Sequence, residues 1–167
     1  MIDIIELRHN LHRIPELAFR EFKTQALLED SILKILQNQP ENIWKLHYFK
    51  NSTGLLLEYT CAKTPYLLFR ADMDGLPITE NTGVPYTSEH PGFMHACGHD
   101  VHLSVLMGLI QVVTETQPQR NLLFLFQPAE EGEGGAKRVL EEGLIQKFDI
   151  EAAFAFHIAS ELPVGTV

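Results

Sequence analysis

The chain has 167 residues, 45% of them apolar and 21% charged, and its 13 basic against 22 acidic residues give a formal net charge of −9. That balance excludes an intrinsically disordered chain, and the acidic sign excludes a general nucleic-acid binder, which needs a basic face against phosphate. Two cysteines make no disulfide scaffold, no apolar run approaches the ~20 residues of a membrane span, and the start shows no secretory pattern, so a single-domain cytoplasmic protein is expected.

The chain opens as a helical hairpin. Ile4, Ile5, Leu7, His9 and Leu11 predict a first helix, ended by Ile14-Pro15-Glu16. Phe22, Ala26, Leu28, Ile32, Leu33, Ile35 and Leu36 recur at helical spacing and predict a second, up to the break at Asn38-Gln39-Pro40. Strand-like texture follows, with Leu46–Lys50 and Leu55–Tyr59 flanking an Asn51-Ser52-Thr53-Gly54 turn.

Three later runs, Tyr66–Phe69, Leu122–Phe126 and Ala152–Phe156, are continuously apolar, as in parallel strands buried on both faces. Between them lie a long helix over His99–Thr116, with Val101, Val105, Leu109 and Val112 on one face, and a shorter one over Ala136–Glu142, stopped by Gly143. The order β-α-β-α-β predicts an α/β fold, a three-layer open sheet with helices on both faces.

Polar residues gather where these strands end. The first runs into Arg70-Ala71-Asp72-Met73-Asp74, the second into Glu130-Glu131, and the third into His157, while His95-Ala96-Cys97-Gly98-His99-Asp100-Val101-His102 precedes the long helix. Sites in open α/β sheets form at the carboxyl ends of strands, so the four groups are expected to converge. Cysteine, histidine and carboxylate together are ligands for zinc or a similar divalent ion, and adjacent carboxylates can divide the work of ligand and base. Gly98 would let Cys97 and His99 face one ion, and Gly132, Gly134 and Gly135 would allow close backbone approach. Taken singly, each group has a plainer reading: Cys97 as a small buried apolar residue, the Glu pair as a solvated loop, His157 as a core histidine. A rival chemistry makes Cys97 a nucleophile, its thiolate favoured by His95, His99 and a helix N-terminus. That reading leaves the acidic residues without work. A metal uses them all.

The segments LHRIPELAFREF (11–22), RADMDGLPI (70–78), MHACGHDVH (94–102), FQPAEEGEGG (126–135) and FHIASELPVGT (156–166) resemble the M20 metallopeptidase and aminoacylase family. Within it they look like the amidohydrolase branch that holds hippurate hydrolases, auxin-conjugate hydrolases and N-acetyldiaminopimelate deacetylases. REFKTQ, YTSEHPGFMHACGHDVH, LLFLFQPAEEG and ELPVGT are most similar to the last of these.

The resemblance implies a zinc-peptidase-like catalytic domain with metal ligands Cys97, His99, Glu131 and His157. It implies Glu130 as general base, with the order within the Glu pair left open by sequence, and a catalytic position at Asp72, with Asp74 and Asp100 as companions. The implied cofactor is a two-metal centre of zinc, manganese or cobalt. The implied reaction removes an acyl group, acetyl foremost, from an N-acyl amino acid. A broader hippurate-type hydrolase and an inactive metal-binding fragment stand as alternatives. Members of the family are more than twice as long, so residues 1–167 are expected to form the N-terminal part of the catalytic domain. The lid or dimerisation domain and the remaining part of the catalytic domain, with a last ligand histidine, would be absent. The expected partners are the small-molecule substrate and either a second copy or a complementing C-terminal half, with no nucleic acid and no membrane.

Overall fold

A computed structural model describes residues 1–63, 65–163 and 165–166; Val164 of the last motif lies outside them. The N-terminal hairpin forms as expected. Helix α1 spans Ile4–Arg13, with the Asp3 carboxylate accepting the Ile5 and Glu6 N–H groups at its start, and α2 spans Phe22–Leu36. Strands β1 (Trp44–Tyr48) and β2 (Leu55–Tyr59) pair antiparallel. The first strand thus starts and ends two residues earlier than the Leu46–Lys50 expectation. Trp44 is drawn in by its packing on Tyr59 and Phe124, while Phe49 leaves the strand to pack into a separate apolar cluster.

Strands β3 (Tyr66–Asp72), β4 (Asn121–Gln127) and β5 (Ile150–Ala155) are connected by helices α3 (His99–Thr116) and α4 (Gly135–Glu141), the latter followed by a short 3-10 turn at Ile145–Lys147. The five strands lie in the order β1-β2-β4-β3-β5. β3 runs parallel to both β4 and β5, and β2 joins β4 antiparallel, so the sheet is mixed rather than purely parallel.

Period-2 alternation splits the sheet's side chains between two cores. Leu55, Leu57, Tyr59, Phe124 and Phe126 pack with α1, α2 and α3, while Leu56, Leu123 and Leu125 pack with Val139 and Ile145 on the opposite face. Helices therefore cover both faces, as expected.

Three expectations are corrected. β4 is buried along its whole length, but β5 is largely exposed, with Phe154 at 48%, because among the described residues only β3 pairs with it. On α3 the core face is Leu103, Leu106, Met107, Ile110 and Val113, whereas Val105 and Val112 are exposed. The larger side chains, with Val113, fill the interior, and Val105 and Val112 mark the outer face. Phe22 and Leu33 of α2 likewise point outward.

Candidate metal centre

The C-terminal end of β3 delivers Asp72 as a buried side chain. Its Oδ1 accepts the Nδ1–H of His102 at 2.7 Å and its Oδ2 accepts an Arg70 N–H at 2.8 Å. Burial alone would raise this carboxyl, but the His102 hydrogen bond and the charges of His99 and Arg70 outweigh it and hold the group down at about 2. Two residues on, Asp74 turns under the site. Its Oδ1 and Oδ2 accept the backbone N–H groups of Glu130 and Glu131 at 3.0 and 2.9 Å, so it braces the loop after β4. Burial again opposes ionisation there, and the His99 and backbone hydrogen bonds overcome it to keep the carboxyl low.

Gly98 adopts φ +85 just before α3 and sets Cys97 and His99 on either side of the turn. A Cβ at this position would meet Ile158 Cδ1 at 2.2 Å, and with the left-handed φ this favours glycine. His99 Nδ1 donates to the Asp74 carbonyl at 2.7 Å, which fixes the tautomer and leaves the Nε2 lone pair outward. That Nε2 is buried and has no hydrogen-bond partner among the described residues. Around it lie Asp72 Oδ2 at 3.7 Å, Glu131 Oε1 at 3.8 Å and Glu130 Oε2 at 3.9 Å.

His157, just beyond β5, places Nε2 3.3 Å from Cys97 Sγ, while its Nδ1 bonds the Ile158 carbonyl. Three groups of potential ligand atoms result among the described residues: Cys97 with His99 and His157, Asp72 with His99 and His102, and His99 with Glu130 and Glu131. All share His99. An unpartnered imidazole nitrogen in a ring of carboxylates, a thiol and a second imidazole fits a divalent cation, whose charge would offset their mutual repulsion.

Asp72, Cys97, His99, Glu130, Glu131 and His157 therefore lie together at the strand ends. Asp100 does not join them. It turns back toward α1, where its Oδ2 meets His12 Nδ1 at 2.8 Å and Arg8 Nε at 2.9 Å. His102, within the MHACGHDVH segment but given no role from sequence, proves to orient Asp72. Its Nε2 accepts the Ile158 N–H at 3.1 Å, so both ring nitrogens are occupied. Its place one helical turn after His99 was the available signal. The nucleophilic reading of Cys97 is corrected: burial, followed by the hydrogen bond and charge of Glu131 and the charges of Asp72 and Glu130, pushes the thiol up to about 11. In the glycine-rich stretch Gly135 makes the close backbone approach expected, to the chain's own Pro128 carbonyl, where a Cβ would sit 1.8 Å from the oxygen, whereas Gly132 and Gly134 have no such neighbour among the described residues.

Comparison with known sequences decides the lineage: residues 68–167 match the profile of peptidase family M20/M25/M40. The chain belongs to the M20 family. It is 46% identical over 165 residues to the N-acetyldiaminopimelate deacetylase of Bacillus velezensis, covering 98% of this chain and 42% of that protein. The Bacillus subtilis protein of the same name is also 46% identical, with 99% and 43% covered. The chain thus spans less than half the length of these M20 relatives. Among solved structures it superposes on the Bacillus subtilis YXEP protein, described as a dinuclear metal-binding peptidase of family M20. The TM-score is 0.86 at 32% identity, over 97% of this chain and 44% of that one.

Proposed function

We propose that the chain carries the metal-binding half of an amide hydrolase that removes an acetyl group from an N-acetyl amino acid, N-acetyldiaminopimelate foremost, in lysine biosynthesis in the cytoplasm. The observation that carries the reading is the buried, unpartnered Nε2 of His99 facing Asp72, Glu130 and Glu131. The names of the relatives at 46% identity support the acyl and amine parts.

Cys97, His99, Glu131 and His157 would hold a two-metal centre of zinc, manganese or cobalt. A divalent ion held there supplies Lewis acidity toward the amide carbonyl and the attacking water. Glu130, the more exposed of the pair at 40% against 28%, takes the proton from that water and returns it to the leaving amine nitrogen. Asp72, fixed by His102 and Arg70, keeps negative charge beside His99. Products are acetate and the free amino acid.

Residues 1–167 serve as the N-terminal part of the catalytic domain. The lid or dimerisation region and the C-terminal part of that domain fall in the portion of the relatives that this chain does not span, and a complementing segment there completes the site. The edge of β5 left unpaired among the described residues supports this reading.

The deciding experiment loads the chain with zinc, cobalt or manganese and follows release of acetate from N-acetyldiaminopimelate and of benzoate from hippurate. Faster turnover of the first supports the deacetylase, and faster turnover of the second supports the broader hydrolase. Stoichiometric metal with neither product marks a binding fragment. In the active form Glu130→Gln is expected to abolish turnover, roughly 100-fold or more, with metal content unchanged. Cys97→Ala is expected to lower occupancy by elemental analysis, and unchanged occupancy removes Cys97 from the ligand set.

A further inference from the structure

Glu21 is a fully buried carboxylate outside the cluster just described. It occupies the N-cap position of α2 but does not cap that helix. Glu16 does so instead, its Oε2 accepting the Lys23 and Thr24 N–H groups, each at 2.9 Å. The Glu21 side chain is thereby free to reach across the fold. Its Oε1 accepts the Ala129 N–H at 2.9 Å, and its Oε2 accepts the Thr53 hydroxyl. No ion pair to Glu21 occurs among the described residues, and Asp74 adds like-charge repulsion. A buried carboxylate without a counter-ion is costly, so a stable core would gain by losing it.

The group it holds explains its presence. Ala129 has φ +53, a left-handed conformation that a residue with a Cβ adopts only when its surroundings impose it. Its carbonyl accepts the Gly135 N–H at 3.0 Å, which closes the loop behind the Glu pair. The next two N–H groups, of Glu130 and Glu131, are held by Asp74. Three consecutive backbone donors are thus gripped by two buried carboxylates, while the Glu130 and Glu131 side chains approach His99.

We propose that Glu21 is a positioning residue: by accepting the Ala129 N–H it holds the strained turn that aims Glu130 and Glu131 at His99. The inference rests on the metal-centre reading above, and its test separates the two.

The 167-residue chain and its variants are titrated with Co(II), read by the visible ligand-field and thiolate charge-transfer bands, and their metal-free forms are compared by backbone hydrogen exchange. Glu21→Ala is expected to weaken Co(II) binding about 10- to 100-fold and to speed exchange at 129–131 while α3 and β4 keep their protection. Glu21→Gln, whose amide oxygen still accepts from Ala129, is expected to restore both readouts. A residue needed only for stability would raise exchange throughout, and an electrostatic role would leave Glu21→Gln as impaired as Glu21→Ala; either result overturns the proposal. Should Glu21→Ala not fold, Thr53→Val, which frees one carboxylate oxygen, is expected to raise exchange at 129–131 alone, and wild-type exchange in it also overturns the proposal. A folded wild-type chain that takes up no Co(II) overturns the metal reading, and the exchange data then decide the clamp by themselves.

Discussion

Around Cys97, burial and the neighbouring charges of Glu131, Asp72 and Glu130 favour the protonated thiol, pushed up to about 11. Alkylation by iodoacetamide in the metal-free chain is therefore expected to keep accelerating above pH 9. A plateau below pH 8 would restore the nucleophilic reading. His12 shows the opposite chemistry. The hydrogen bond that His12 donates to Asp100, opposed by burial and reinforced by Glu80, raises its pKa above 6.5. Arg8 also meets Asp100, His95 lies beside it, and Tyr86 contacts the ring edge-on. Because the folded value exceeds the unfolded one, the stabilisation is fully present below pH 6.5 and fades as pH rises through the raised value. His12→Gln is expected to cost about 2 kcal/mol at pH 6, and the gap to wild type should narrow by pH 9 in urea unfolding. A gap that widens with pH would overturn this sign.

At the scale of elements, the five strands and four α-helices among the described residues were legible in the sequence, and the 3-10 turn at Ile145–Lys147 was not. Apolar runs and breakers mark where backbone hydrogen bonding starts and stops. What the sequence did not reveal was which way each element faces. Helix α3 carries apolar residues on nearly all sides, so its periodicity offers two stripes, and only packing against α1 and β3 selects the one through Leu106 and Ile110. The candidate centre was legible in part for the same reason. Asp72, Cys97, His99, Glu130, Glu131 and His157 sit at element ends, where chain order and strand direction locate them. The supports, His102 beneath Asp72 and Glu21 behind Ala129, depend on contacts between segments remote in sequence. The facing of α3 is checked by Leu106→Ala, expected to cost about 3 kcal/mol, against Val112→Ala, expected within about 0.5 kcal/mol. Equal costs in chemical denaturation would contradict the observed burial.

For the whole molecule, the edge of β5 that is unpaired among the described residues is expected to set how the chain behaves in solution. Its outer N–H and C=O groups and the half-exposed Phe154 form a template for strand addition. The chain alone is expected to associate as concentration rises, and Ala153→Lys on that edge to suppress association in sedimentation velocity. Insensitivity to the lysine would place the contact elsewhere.

The strand order carries one more consequence, for how the chain is made. β4 lies between β2 and β3, so the N-terminal hairpin and the first parallel strand are not neighbours and share no ladder until residues 121–127 insert between them. During synthesis, everything up to the end of α3 must leave the ribosome with the sheet still in two pieces, its apolar faces unsealed. The central strand then joins both pieces by long-range pairing, the slow kind of step in folding. A nascent chain halted soon after residue 116 should therefore remain protease-sensitive and chaperone-bound, and one extended until β4 clears the exit tunnel should acquire resistance in a single step.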